Sequence, residues 1–322
     1  VKVLVAGGAG YIGSHAVKDL RRRGHAVVVF DNFSSGRREL VRGIPVVEGD
    51  LREPGALDRT LSGAGFEAVL HFASLIQVGE SFLEPAKYYV QNLTGSLNLL
   101  EAMRRAGVGR IIFSSSAAVY GLPRETPITE SHPLAPANPY GQTKFFVETI
   151  LRDYHRAYGL DFVSLRYFNA SGADPEGELG EMHDPETHLI PNILLSLLGR
   201  KKEVEVFGTD FNTPDGTAIR DYIHVSDLAE AHALALERLE RGAAEDFINL
   251  GTNRGYSVRE VIRRAEEVTG RKVNYRNAPR RRGDVPVLLA SKDKAERVLG
   301  WKARYSDLET IVSTAWKWHR QH

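Results

Sequence analysis

Two sets of residues in this sequence have the types and spacing to do chemistry together. The first is a glycine cluster, Gly7, Gly8, Gly10 and Gly13, lying between a β-branched run and a helical pattern. Read from Gly8 it fits G-x-G-x-x-G, and read from Gly7 it fits G-x-x-G-x-x-G. Glycines in this place permit a tight turn and let the backbone approach a pyrophosphate. The helix N-terminus behind them offers free N–H groups and the positive end of the helix dipole. Asp31 ends the next strand pattern, where a carboxylate can accept hydrogen bonds from an adenosine ribose. A carboxylate would repel a 2′-phosphate, so Asp31 favours NAD over NADP and outweighs the nearby Arg37 and Arg38.

The second set is Tyr140 and Lys144, preceded in the chain by Ser114, Ser115 and Ser116. Tyrosine and lysine four positions apart share one helix face. A phenol ordinarily ionises near pH 10, too high for a base at neutrality. A neighbouring ammonium and a positive nicotinamide ring both favour the phenolate, and the expectation is that they lower the Tyr140 pKa. Such a phenolate can take a proton from an alcohol while hydride leaves the same carbon. One serine hydroxyl can bridge that alcohol and the tyrosine.

These residues need a scaffold, and the first half of the chain supplies its pattern. Strands are predicted at Val1–Ala6, Val27–Phe30, Pro45–Glu48, Ala68–His71 and Arg110–Ser114. Helices are predicted at Tyr11–Arg23, closed by Gly24, at Gly55–Leu61, at Pro85–Ala106 and from Pro139 through His155. Repeated β-α-β units with right-handed crossovers imply a doubly wound parallel sheet, with ligands bound at the C-terminal ends of its strands. After Asn169 the pattern loosens. Ser171–Pro185 reads as a loop, Glu203–Phe207 and Ile219–Val225 as extended, Phe247–Leu250 as a strand, and 189–198, 228–239, 258–269 and 307–320 as helices. The fold class is therefore α/β: a Rossmann sheet over residues 1–169 and a second, smaller α/β domain over 170–322, with some later segments returning to the first sheet.

Composition narrows the function classes. A chain of 322 residues can fill one large or two medium cores, and a formal net charge of +1 gives no reason to expect nucleic acid as a partner. With no cysteine there is no disulfide, thiolate metal site or cysteine nucleophile. No apolar run approaches the roughly 18 residues needed to cross a bilayer, so no membrane partner is expected. The sequence opens on a strand pattern, VKVLVAGGAG, without a separate hydrophobic leader, and we expect a cytoplasmic protein. His183, Glu186 and His188 are close in sequence, but the loop pattern suggests no fixed ligand geometry, so no metal is expected. Trp316 and Trp318 read as packing residues.

The chain resembles the extended short-chain dehydrogenase/reductases, and within them the UDP-galactose (UDP-glucose) 4-epimerases. The stretches that carry the resemblance run from first strand to last helix: GGAGYIGSH, VFDN, EGDLR, HFAS, VGES, SSSAAVYG, NPYGQTK, LRYFNASGA, VFGTDFNTPDGTAIRDYIHV, NLGTN and APRRRGDVP. The resemblance implies reversible C4 epimerisation of UDP-glucose and UDP-galactose with bound NAD. It implies an NAD site formed by Gly7, Gly10, Tyr11, Ile12, Gly13, Asp31, Asn32, Asp50, Leu51, Phe72, Ala73, Asn92, Tyr140, Lys144 and Tyr167. It assigns Ser116 and Tyr140 to the sugar and Lys144 to tuning Tyr140. Asn169, His188, Leu189, Phe207, Arg220, Arg281 and Asp284 would hold the UDP, and Arg281 gives the Arg280–Arg282 run a function. Leu288 would stand beside the sugar's C2 substituent. Helices Pro85–Ala106 and Phe145–His155 carry more apolar surface than one sheet needs, and the family pairs such helices in a homodimer.

Two departures from the family pattern matter. Ile76 stands where a lysine near the cofactor phosphates is common, so NAD retention would be weaker or supplied elsewhere. Leu288 stands where relatives carry either a bulky tyrosine or a small residue. Related dehydratases carry an acid pair after the catalytic serine or threonine, and UDP-glucuronate decarboxylases a glutamate. Here Ala117 and Ala118 follow Ser116, which leaves epimerisation as the expected outcome rather than elimination or decarboxylation. A non-catalytic NAD-binding scaffold would have no need of Ser116, Tyr140 and Lys144 together.

Overall fold

The structure is a computed structural model that describes residues 1–281 and 283–322. In chain order the first elements are β1 (Lys2–Ala6), α1 (Tyr11–Arg22), β2 (Ala26–Asp31), β3 (Val46–Glu48), α2 (Pro54–Leu61), β4 (Ala68–His71), α3 (Val78–Leu83) and α4 (Pro85–Tyr88). A π-helical stretch, Tyr89–Thr94, leads into α5 (Gly95–Ala106), followed by β5 (Arg110–Ser114), α6 (Pro139–Tyr158), β6 (Asp161–Arg166) and β7 (Asn169–Ser171). Then come α7 (Leu189–Leu197), β8 (Val204–Phe207), β9 (Ile219–Arg220), β10 (Tyr222–His224), α8 (Val225–Glu240) and β11 (Glu245–Asn249). The chain ends through β12 (Tyr256–Ser257), α9 (Val258–Thr269), β13 (Tyr275–Ala278), β14 (Val287–Leu288), α10 (Asp293–Leu299) and α11 (Leu308–His319).

Seven parallel strands form the main sheet in the order β3-β2-β1-β4-β5-β6-β11. The strand alternation is used on both faces. Val3 and Val5 of β1 face α1 and α8, whose Ala16, Val17, Leu20, Leu228, Ala231, Leu236 and Leu239 fill one core. Leu4 and Ala6 face α2, α5 and α6, where Leu57, Leu61, Leu99, Leu100, Met103, Val147 and Leu151 fill the other. Burial on both faces is why these strands read as nearly continuous apolar runs. The order reverses at β1, and Gly7, Asp31, Phe72, Ser114 and Tyr167 all follow or close strands at the same C-terminal edge. That edge is where doubly wound sheets bind ligands.

A separate core forms where α7, α9 and α11 pack with β8, Tyr222 and Tyr256. The later chain does return to the first sheet: β11 pairs with β6, and α8 covers the face that holds α1. Trp318 is buried beside Leu40, Ala173 and Leu179, and Trp316 packs on the α7–α9–α11 core.

Several expected segments differ in detail. The single strand expected over Ile219–Val225 is two strands in two sheets. β9 pairs with β12 and β14, β10 pairs with β7, and Val225 already begins α8. The break is Asp221, whose buried carboxylate accepts hydrogen bonds from the Thr252 and Ala290 N–H groups. The helix expected over Pro85–Ala106 contains the π-helical stretch, in which the Asn92 side chain clips Leu75 through both its N–H and its C=O. Strand β6 went unpredicted because Ser164 and Arg166 interrupt its apolar run; both are buried.

Candidate active site

The glycine turn is built by close approach. Gly7 sits at φ +79°, and a Cβ there would lie 2.4 Å from the Ala73 nitrogen. A Cβ on Gly13 would lie 2.2 Å from the Gly7 carbonyl oxygen, so this glycine lets α1 press against the end of β1. Gly10 caps α1 without a side chain, leaving the first-turn N–H groups open to an anion. Ile12 packs on the sheet core, and the Tyr11 hydroxyl donates to the Gly172 carbonyl at 2.6 Å.

Asp31 is buried at the end of β2. Its carboxylate accepts from the Ala9 N–H at 2.9 Å and the Phe33 N–H at 2.8 Å, which ties the strand end to the glycine loop. Burial pushes its pKa up, and these two N–H groups hold it down in part. Asn32 donates to Asp50 at 2.9 Å. Chiefly the Arg52 guanidinium keeps the Asp50 carboxyl well below the usual range. Leu51 is buried against Gly95, and Phe72 stacks near His232 with centroids 4.6 Å apart. These residues frame one crevice along the C-terminal edge of β1, β2 and β4.

Tyr140 and Lys144 lie on the first two turns of α6, whose N-cap is Asn138; its side chain accepts from the Gly141 N–H. Lys144 is buried and donates to the Ser114 carbonyl at 2.8 Å and to the Ser74 hydroxyl at 2.9 Å. Ser74 was not singled out from sequence; its place in HFAS, directly after β4, was the available signal. The Lys144 ammonium lies 5.9 Å from the Tyr140 ring centroid. Ser116 caps the short helical turn 117–120, accepting from the Ala118 N–H. Tyr167 meets the Ser114 hydroxyl at 2.6 Å.

In the protein by itself the Tyr140 pKa is raised, because burial outweighs the Ser116 hydroxyl that favours the phenolate. Burial also draws Lys144 down to about 7. The expected lowering invokes two charges, the Lys144 ammonium and a bound nicotinamide, and the second is the further charge beside the phenol.

β9, β14 and the loop after β13 bring four of the expected uridine-diphosphate residues together, Phe207, Arg220, Arg281 and Asp284. Leu288 stands opposite Arg220 in the β14–β9 pairing. Arg281 lies over the Phe207 ring at 5.0 Å and donates to Asp284 at 3.0 Å; Asp284 is also 3.6 Å from Arg220. Arg280 turns away to Asp210 and the Phe211 ring, so of these two arginines only Arg281 faces the group; Arg282 lies outside the described residues. The Asn169 side chain donates to the Asp221 carbonyl at 2.8 Å. Leu288 packs on the cluster of Ala117, Val119, Tyr120 and Ile128, directly beside the Ser116 turn. Ile76 is 41% exposed and contributes no charge.

His188 caps α7, which Leu189 begins. The expectation that the surrounding loop holds no fixed arrangement is corrected: ligand atoms of Glu181, His183, Glu186 and His188 lie within 4.8 Å of one another. Glu181 folds inward to a buried position and its Oε1 takes His183 Nδ1 at 2.8 Å and His188 Nδ1 at 2.5 Å. Burial works against the His188 cation, but Glu181 overrides it and raises the His188 pKa. The group is satisfied as an ion-paired cluster that presents a cation at the start of α7.

The fold and this sheet edge define a dinucleotide-dependent enzyme of the Rossmann class, with Ser116, Tyr140 and Lys144 at one strand end. The NAD dependent epimerase/dehydratase family model matches residues 3–251, and the chain belongs to that family. It is 50% identical to the UDP-glucose 4-epimerase of Rhizobium leguminosarum bv. trifolii over 98% of this chain and 97% of that one. Its structure superposes on UDP-glucose 4-epimerase from Brucella ovis in complex with NAD with a TM-score of 0.96 at 50% identity, covering 98% of this chain and 97% of that one. UDP-glucose 4-epimerase from Bifidobacterium longum in complex with NAD+ and UDP gives 0.95 at 40% identity, covering 100% and 98%.

Proposed function

We propose that this protein interconverts UDP-glucose and UDP-galactose by inverting C4 of the hexose through a transient 4-keto sugar. The observation that carries the reading is the convergence of Ser116, Tyr140 and Lys144 at one sheet edge, with Ala117 and Ala118 where an eliminating enzyme needs acids.

The crevice suits NAD. The glycine turn leaves no room for a Cβ at Gly7 or Gly13, the α1 N-terminus is open to a pyrophosphate, and Asp31 stands where an adenosine ribose would end. When bound, NAD supplies the acceptor for the C4 hydride and its return, and its positive nicotinamide is the further charge that Tyr140 needs. Residues at Gly7–Gly13, Asp31–Asn32, Asp50–Leu51, Phe72–Ala73, Asn92 and Tyr167 hold it. Tyr140 takes the proton from the C4 hydroxyl and gives it back. Ser116 holds that oxygen, and Lys144 keeps positive charge beside the pair. Phe207 covers the uracil, Asp284 receives the ribose, and Arg220, Arg281 and His188 neutralise the diphosphate. Leu189 and Asn169 close the pocket. The sugar would turn about its diphosphate link while the uridyl end stays gripped by Phe207, Arg220, Arg281 and Asp284, which would present the opposite face of C4 for the return.

We divide the work between residues 1–169, which serve NAD, and 170–322, which serve UDP. A slower activity on UDP-N-acetylhexosamines follows from the aliphatic Leu288 at the sugar. Exposed apolar side chains at Leu83, Val90, Leu97 and Phe146, on α3, the π-helical stretch, α5 and α6, support a homodimer. The cysteine-free sequence fits a cytoplasmic enzyme. The purified protein given UDP-galactose, with its nucleotide-sugar products separated, tests the reading: UDP-glucose is the product expected.

A further inference from the structure

Behind the Ser-Tyr-Lys centre lies a buried polar network that neither the motifs nor the chemistry above accounts for. Glu148 stands one turn beyond Lys144 and two beyond Tyr140 on the same face of α6. Its Oε1 accepts from the Ser115 hydroxyl at 2.7 Å, the Ser164 hydroxyl at 2.8 Å and Arg166 Nε at 2.9 Å. Its Oε2 accepts from Arg166 Nη2 at 2.6 Å. Arg166 continues to the Tyr120 hydroxyl at 2.9 Å, and that hydroxyl donates to Asn249 at 2.7 Å. Asn249 donates in turn to the Ile128 carbonyl, which also receives the Ser291 N–H. All the side chains that form these bonds belong to buried residues.

An ion pair at this depth is poor value as a simple stabiliser. Desolvating both charges costs several kcal/mol each, and apolar residues of equal volume often serve as well. What this one does is geometric. The Ser115 link fixes the residue next to Ser116 to the helix that carries Tyr140 and Lys144, and the Tyr120–Asn249 arm joins the same helix to the Ile128 segment packed against Leu288. We infer that Glu148 is a positioning residue for the reaction, holding α6 against the end of β5 and setting a carboxylate one helical turn from the Lys144 ammonium. The inference rests on the catalytic roles proposed for Tyr140 and Lys144.

The carboxylate also has an electrostatic consequence. Burial depresses Lys144, and Glu148 is the group that opposes it. The other titratable groups at this spot are neutral near pH 7: His71 at the end of β4 is driven down to about 3 by burial, and the Tyr140 and Tyr167 phenols are raised by it. Arg166 is paired to the same carboxylate, and Glu148 remains the group that opposes burial at Lys144. Loss of the Glu148 charge therefore lowers the Lys144 pKa further, and activity that needs the ammonium disappears at a lower pH.

The test uses the NAD-loaded enzyme with UDP-galactose and reads kcat, KM, Tm and the Lys144 pKa, the last by 13C-lysine NMR titration. Ser115→Ala cuts one link and keeps the ion pair; kcat is expected to fall severalfold while KM stays near the parent's and Tm falls only by the loss of that one hydrogen bond. Glu148→Gln keeps the shape and removes the charge. It is expected to cost about 10²-fold in kcat, the scale of a small misplacement of reacting groups. It should also shift the alkaline limb and the Lys144 pKa downward. Because Arg166 left alone can prevent folding, Glu148→Gln with Arg166→Met removes both charges and should show a smaller shift in the same downward direction. Parental kcat in Ser115→Ala, or parental kcat and Lys144 pKa in a folded Glu148 variant, overturns the inference. If neither Glu148 variant folds, Ser115→Ala decides. Should the parent itself leave UDP-galactose unchanged, the proposed function fails, while the Lys144 titration still judges the positioning role.

Discussion

At the scale of single residues, the proposed reading turns on Tyr140 for the chemistry and on Leu288 for the choice of sugar. Tyr140→Phe removes the only hydroxyl on that ring while leaving its packing on α6. Loss of a general base costs about 10²–10⁴-fold in rate. The expected outcome is a folded, NAD-loaded enzyme with kcat reduced on that scale, read by steady-state kinetics and bound-NAD content; near-normal kcat would remove Tyr140 from its role. On the proposed reading Leu288 governs breadth. It packs beside the Ser116 turn and pairs with Arg220 in the neighbouring strand, which is where that reading puts the sugar. Hydrophobic pockets discriminate by roughly 1–3 kcal/mol per methylene-sized change. Leu288→Tyr should abolish activity on UDP-N-acetylglucosamine and spare UDP-galactose, and Leu288→Ala should raise the former. Competition assays that show equal kcat/KM for both substrates, unchanged by Leu288→Tyr, would show another gate. The motifs made these residues legible from sequence. Glu148 and Ser74 were not, because a glutamate inside a helix looks solvent-facing until the packing buries it, and a serine after a strand has no role until Lys144 donates to it.

At the scale of elements, the loop before α7 carries the sharpest electrostatic arrangement. Glu181 binds His183 and His188, and losing a hydrogen bond to a charged group costs roughly 1.5–3 kcal/mol. The His188 pKa is raised to about 10 by Glu181 against the opposing effect of burial. A raised histidine pKa stabilises fully below its unfolded value, near 6.5. That contribution then fades as pH rises towards about 10. Glu181 is itself depressed to about 2, so its contribution fades as pH falls below the ordinary carboxyl value near 4.3. Glu181→Gln should therefore lower Tm most between that pH and about 6.5, with the deficit shrinking as pH rises towards about 10; a deficit that grows with pH above about 6.5 would contradict the pairing. Sequence reading located this loop but not its convergence, since Glu181 takes its meaning from an inward turn that no periodicity encodes. The turn after β1 is the opposite case. Its glycines were legible because each answers a close contact, and Gly13→Ala, with a Cβ 2.2 Å from the Gly7 carbonyl, should strip bound NAD, as absorbance of released cofactor would show.

At the scale of the whole molecule, the doubly wound sheet was readable from repeated β-α-β units, and the return of the chain through α8 and β11 was foreseen only in kind. Nothing in a short apolar run such as Phe247–Leu250 tells which sheet it joins; that is decided by α8 packing beside α1. Among the described residues no helix is long and apolar enough to cross a membrane. The arrangement brings a cofactor crevice and a cationic pocket onto one edge, and its consequence is a redox reaction that cancels itself. The most direct measurement follows UDP-galactose, its products and NADH together in one reaction. The account predicts UDP-glucose rising to a fixed equilibrium ratio with no accumulation of free NADH. Release of NADH in step with substrate consumed, or a dehydrated 6-deoxy product, would contradict it.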